Sequence, residues 1–131
     1  MARDSITVLL PTQDASQSVE FAKITKQAVT QANGIKIANA LDNKNNSLQI
    51  YIENTYSSAD STLTIKAGDN YPNSILGDLN VPLTKSATTV ILLEDISRFE
   101  NRDKSINLDF STSFTGNIWA VAKRAGIKPV V

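Results

Sequence analysis

Cysteine and histidine are both missing from this chain of 131 residues. Without cysteine, disulfides, thiolate metal sites and thiol nucleophiles are excluded. Without histidine, the commonest general base and the commonest zinc ligand go as well. Glycine is scarce: five residues, at positions 34, 68, 77, 116 and 126, stand too far apart to form a phosphate-cradling loop. Excess charge of either sign is missing too. Thirteen basic residues balance thirteen acidic ones, so the chain lacks the global field of a nucleic-acid binder. The longest run of branched aliphatic residues, 90–93, is four residues. A membrane-spanning helix needs about 20. The opening Met1-Ala2-Arg3-Asp4-Ser5 has neither the apolar stretch of a signal peptide nor the second-position glycine of a myristoylation site.

What is present favours strands and tight turns. Twelve Asn, twelve Thr and thirteen Ser supply turn and strand formers, and 41% of the chain is hydrophobic, too much for disorder. A chain of 14.2 kDa buries about two thirds of its unfolded surface, enough for a core without covalent staples.

The hydrophobic pattern predicts one all-β domain over 1–131. Residues 1–18 are expected to form an N-terminal arm and 19–131 the body. In the arm, Ile6, Val8, Leu9 and Leu10 form a short apolar run, closed by Pro11, that reads as a strand or a docking arm. Such a run can add to a neighbour's sheet edge. A strand is expected over 19–24, followed by a turn or one helical turn over 26–32 and an Asn33-Gly34 turn. Leu48, Ile50 and Ile52 alternate with Gln49, Tyr51 and Glu53, the clearest strand signal in the chain. Leu63 and Ile65 alternate next, and the two strands are expected to pair as a hairpin. Residues 67–79 read as one long ordered loop, with Tyr71, Ile75 and Leu76 pinning it to the body. Pro82 marks an edge segment. Residues 88–93, apolar on both sides, read as a central strand. Ile106, Leu108 and Phe110 alternate inward, and Ile118-Trp119-Ala120-Val121-Ala122 is the last strand. Seven to nine short strands at this spacing suggest a small antiparallel sandwich or barrel.

Little here looks like catalytic equipment. Asp42-Asn43-Lys44-Asn45-Asn46 lacks the glycine and closing glutamate of a calcium loop and reads as an Asn-rich turn. The acidic pairs Glu94-Asp95 and Glu100/Asp103 are interleaved with Arg98, Arg102 and Lys104, as solvated turn charges are. Lys123-Arg124 and Lys128 make a basic, solvated end. No enzyme activity, metal, cofactor, nucleic acid or membrane is expected. The residues left as candidates for protein contact are Ile6, Val8, Leu9 and Leu10 in the arm, Asp69, Tyr71 and Pro72 in the long loop, and Trp119 in the last strand. An ordered loop with an aromatic can carry recognition, or its Gly-Asp pairs can simply shape the backbone. Trp119 can anchor a partner from an outer face, or close the end of a small core.

The order of short segments adds a resemblance. Leu48-Gln49-Ile50-Tyr51-Ile52-Glu53-Asn54-Thr55 is followed by Leu63-Thr64-Ile65-Lys66-Ala67-Gly68-Asp69, then Tyr71-Pro72 and Gly77-Asp78-Leu79. Val90-Ile91-Leu92-Leu93-Glu94, Ser97-Arg98-Phe99, Ile106-Asn107-Leu108-Asp109-Phe110 and Thr115-Gly116 come after. This series, over about residues 48–120, resembles the head decoration, or cement, proteins of tailed bacteriophages. The resemblance implies a non-enzymatic protein, made in the host cytoplasm and bound to the outside of an icosahedral capsid. Its implied partners are the major capsid protein and itself, as a homo-oligomer with a trimer favoured. No catalytic residues are implied. A phage tail-tube or neck subunit, and a carbohydrate-binding β-sandwich module, are the alternative expectations. The second would want an exposed row of aromatics, and the eight aromatics make no obvious row in the sequence.

Overall fold

The computed structural model describes residues 3–9, 12–14, 19–21, 23–38, 45–69, 73–93 and 96–124. The strands are β1 (Asp4–Ile6), β2 (Thr12–Asp14), β3 (Val19–Phe21), β4 (Gln27–Ala28), β5 (Ile35–Ile37) and β6 (Asn45–Asn54). They continue as β7 (Ser61–Ile65), β8 (Leu79–Leu83), β9 (Ala87–Leu93), β10 (Ile106–Phe110) and β11 (Gly116–Arg124). Helical structure among these residues is confined to single turns, α1 (Asn73–Leu76) and a 3-10 turn at Ile96–Phe99.

Among the described residues, nine strands build two open sheets. One has the order β1-β5-β10-β7-β8, the other β4-β11-β6-β9, and β2 and β3 form a separate two-stranded ribbon. The pairs are antiparallel except β1 with β5 and the single Leu9–Val121 bridge. The architecture is therefore a sandwich and not a closed barrel.

Period-two patterning decides the core. Ile35, Ile37, Leu63, Ile65, Leu83, Ile106, Leu108 and Phe110 face inward from the five-stranded sheet. Leu48, Ile50, Ile52, Ile91, Leu93, Ile118, Ala120 and Ala122 meet them from the other, in one cluster. Asn54 is a buried polar tie between layers. Its Nδ2 donates to the Leu83 and Thr84 carbonyls at 3.3 and 3.4 Å, and its Oδ1 accepts the Tyr56 N–H at 3.1 Å.

Four expectations are corrected. β6 and β7 are not a hairpin: each lies in a different sheet, joined by an arch over residues 55–60. One inward apolar face per strand fits a facing neighbour across the core as well as an adjacent one. β9 is not central but lies at the end of its sheet. Its second apolar face is open, with Val90 47% and Leu92 64% exposed. Ile75 and Leu76 do not pin the long loop to the body; both are exposed on α1. The loop is held by polar bonds instead. Arg98 Nη2 donates to the Leu76 and Gly77 carbonyls, and Asp78 accepts from Lys66 Nζ at 2.7 Å and the Ala67 N–H at 2.8 Å. Those contacts hold the Asp78 carboxyl below its usual range, the Lys66 bond first.

The last correction concerns the N-terminal segment. Its residues 3–9 do not stand off as an arm but join both sheets of their own chain. Asp4 N–H donates to Gly34 O, and Ala38 N–H to Ile6 O at 2.9 Å, within the five-stranded sheet. Three residues later, Leu9 N–H donates to Ala120 O at 2.8 Å and Leu9 O accepts from Ala122 N–H at 3.0 Å, in the other sheet. Ile6 and Val8, two residues apart, point into the core and are buried. Arg3 reinforces this segment through an ion pair with Asp109 and a bond to Leu108 O at 2.9 Å.

Candidate functional site

The four-stranded sheet turns its second face to solvent, and register sorts that face into rows. Antiparallel pairing sets Trp119 opposite Tyr51 and Tyr51 opposite Val90. Val121, Gln49 and Leu92 form the next row, and Asn117, Glu53 and Thr88 the one on the other side. An aromatic and aliphatic patch of Trp119, Tyr51, Val90, Val121 and Leu92 therefore crosses three adjacent strands.

Its centre is pre-ordered. The Tyr51 and Trp119 rings stack with centroids 5.4 Å apart and planes within 3°. Such a pair contributes about 0.5–1.5 kcal/mol beyond its buried area. Lys26 Nζ lies 5.4 Å from the Trp119 ring centroid, and Tyr51 donates its hydroxyl to Gln49 Oε1 at 2.9 Å. Lys26 also pairs with Glu53 at 3.2 Å, while Asn117 Nδ2 donates to the other Glu53 oxygen at 2.8 Å. The Asn117 bond, then the Lys26 bond, hold the Glu53 carboxyl below its ordinary range. Glu53 is thus an ionised, oriented group beside the apolar rows. The patch has two rigid rings, two exposed aliphatics and a fixed polar margin. That is the chemistry of a protein-docking surface: apolar anchors inside a polar rim.

The two alternatives for Trp119 resolve here: it does not close the core but stands half-buried on the outer face. The other candidates fall in different places. Ile6, Leu9 and Trp119 meet at a cavity of about 270 Å³, whose lining also includes Thr25 and Gln27. Val8 lies in the core. Asp69 is exposed in the loop that follows β7. Its Oδ1 accepts the Arg102 N–H at 2.8 Å, and its own N–H donates to Asn101 Oδ1 at 3.2 Å. It shapes two loops against each other. Leu10, Tyr71 and Pro72 lie outside the described residues.

Val90, Leu92 and Tyr51 belong to this patch, and the sequence reading did not name them as candidates. Their signal was readable: a strand apolar on both faces can be buried on both, or exposed on one for a partner. Among the described residues, no group of three or more acidic side chains is arranged to hold a metal ion. Comparison with protein-family models, curated proteins and solved structures finds no match to this chain.

Proposed function

We propose that this chain is a structural, non-catalytic virion protein that binds the outer surface of an icosahedral phage capsid and stabilises it by bridging major capsid subunits. The observation that carries the reading is the outer face of the four-stranded sheet. It sets exposed Val90 and Leu92 beside half-buried Tyr51 and Trp119, on the face opposite the buried core cluster. Apolar groups held in place by a rigid sheet bind without a large ordering cost. The resemblance of residues 48–120 to head decoration proteins supplies the partner class. Many copies around a shell convert modest single contacts into firm attachment.

The patch also bears on the carbohydrate-module alternative. Tyr51 and Trp119 stack on each other at 5.4 Å, so each ring covers part of its neighbour's face instead of both lying side by side as a sugar platform.

Sedimentation with capsid shells tests the proposal. Purified protein is mixed with expanded and unexpanded shells of the major capsid protein from the same genome. Saturable co-migration with expanded shells is the expected result. Binding to neither shell refutes the proposal, and rings or tubes formed by the free protein would point to a tail or neck subunit instead.

A further inference from the structure

The described residues finish their sheet rims in different ways. The five-stranded sheet ends in β1, only three residues long, and in β8, which carries Pro82. The four-stranded sheet ends on one side in β4, two residues long, with Leu9 bonded farther along β11. Its other rim is β9: seven residues, Ala87-Thr88-Thr89-Val90-Ile91-Leu92-Leu93, with no charge and no proline. Short strands, prolines and charged side chains are among the devices that keep sheet edges from pairing with other chains. Among these rims, β9 alone has none of them. From this edge we propose that two copies of the chain pair antiparallel through β9, about a two-fold axis at Val90.

The strand's own side chains argue for a second copy as the occupant. Along β9 the residues grow from small to large. Antiparallel self-pairing about Val90 sets Ala87 opposite the partner's Leu93, Thr88 opposite the partner's Leu92, and Thr89 opposite the partner's Ile91. Each smaller residue then meets a larger one, the arrangement that fills facing layers without voids or clashes. β9 carries no charge, so no like charges meet across the axis. Opposed residues share a face, so buried Ile91 and Leu93 stay on the core side and exposed Val90 and Leu92 on the outer side. The row Trp119, Tyr51, Val90 runs on into the same row of the second copy, across a continuous eight-stranded sheet.

The size of the contact sets its strength. Seven residues give an edge about 24 Å long. One strand edge covers less than the roughly 800 Å² per partner of a standard stable interface. The dimer is therefore weak and concentration-dependent. It forms without a capsid, so its test is independent of the function proposed above.

Sedimentation velocity on the full chain, over about 1–500 μM, is the experiment. Wild type shifts from monomer to dimer across the range. Val90→Lys and Val90→Glu each place like charges opposite each other and stay monomeric, with wild-type circular dichroism because the Val90 side chain is solvent-exposed. An equimolar mixture of the two variants dimerises again, since lysine then faces glutamate. A second variant covers any loss of folding: Val90→Cys, in a chain that has no other cysteine, forms a covalent dimer on mild oxidation, whereas Ser58→Cys in an exposed loop does not. Wild type that stays monomeric throughout, a trimer in its place, a mixture of folded variants that stays monomeric, or equal cross-linking at positions 58 and 90 would overturn the proposal.

Discussion

Two glycines separate the effect of a close contact from that of backbone conformation. A Cβ built on Gly68 would sit 1.9 Å from the Glu100 carbonyl oxygen, and ordinary contact begins at 3.4 Å. The segment carrying Glu100 must therefore retreat by about 1.5 Å in Gly68→Ala. That segment also accepts the Gly68 N–H through Arg98 O at 3.1 Å and delivers buried Phe99 to the core. Overpacking costs about 1–3 kcal/mol, and a weakened hydrogen bond about 1 more. Gly68→Ala should then lose roughly 2–4 kcal/mol. For a domain of this size that lowers Tm by roughly 6–16 °C. Gly77 is the contrast: its φ is +76°, and a Cβ there meets nothing within 4 Å. Gly77→Ala should lose about 1 kcal/mol, from the left-handed backbone alone. Urea unfolding, followed by the fluorescence of Trp119 and by circular dichroism, measures both at a common m-value. Gly68→Ala as stable as wild type, or Gly77→Ala the more damaged of the two, would refute the reasoning.

Other substitutions probe the inter-layer tie and the surface charges. Asn54→Ala strips partners from the Leu83 and Thr84 carbonyls and the Tyr56 N–H, and should cost about 1–3 kcal/mol by the same unfolding assay. Asp103 is held at about 2 instead of 3.8, first by the bond from Lys36 and then by Ser105. Its pKa is lower in the folded state, so its contribution is complete above the unfolded value and is lost as pH falls through 3.8 towards about 2. Lys36→Met should flatten the acid limb of stability in that window and leave neutral pH little changed. An unaltered acid limb in a pH series of urea melts would show that this pair is not the cause.

Alternation made the interior legible and left the arrangement of strands open. Leu48, Ile50 and Ile52, Leu63 and Ile65, and Ile106, Leu108 and Phe110 all face the core as their spacing predicts. Which strand neighbours which did not follow, because β6 and β7 satisfy their apolar faces across the core, in different sheets. Pro82 signalled its edge correctly, since a residue with no N–H is confined there. β9 sent the opposite signal from an equally exposed place. Val90 and Leu92 are apolar where a lone domain would carry polar residues, and a periodicity reading takes that for burial. The Gly-Asp pairs of the long loop have backbone reasons: close approach at Gly68, positive φ at Gly77 and turn bonds at Asp69 and Asp78. Trp119 could be placed on a strand but not on a face, since a tryptophan in a small sandwich packs against either side. Its stacking on Tyr51 needed the β6–β11 register, which links residues 68 positions apart.

The docking face is the central claim, and a footprint measurement reaches it most directly. Leu92→Glu and Tyr51→Ala alter the outer face and leave the buried core untouched, while Asp60→Ala changes an exposed residue of the arch between β6 and β7, whose Oδ1 accepts the Lys85 N–H at 3.0 Å. All three are titrated onto expanded capsid shells beside wild type, with folding verified by circular dichroism. Removing a central apolar anchor typically costs an interface about 2 kcal/mol, or roughly 30-fold in affinity. The face variants should lose shell binding by about that factor, and Asp60→Ala should bind as wild type does. Full binding by both face variants would contradict the assignment of this sheet as the docking surface.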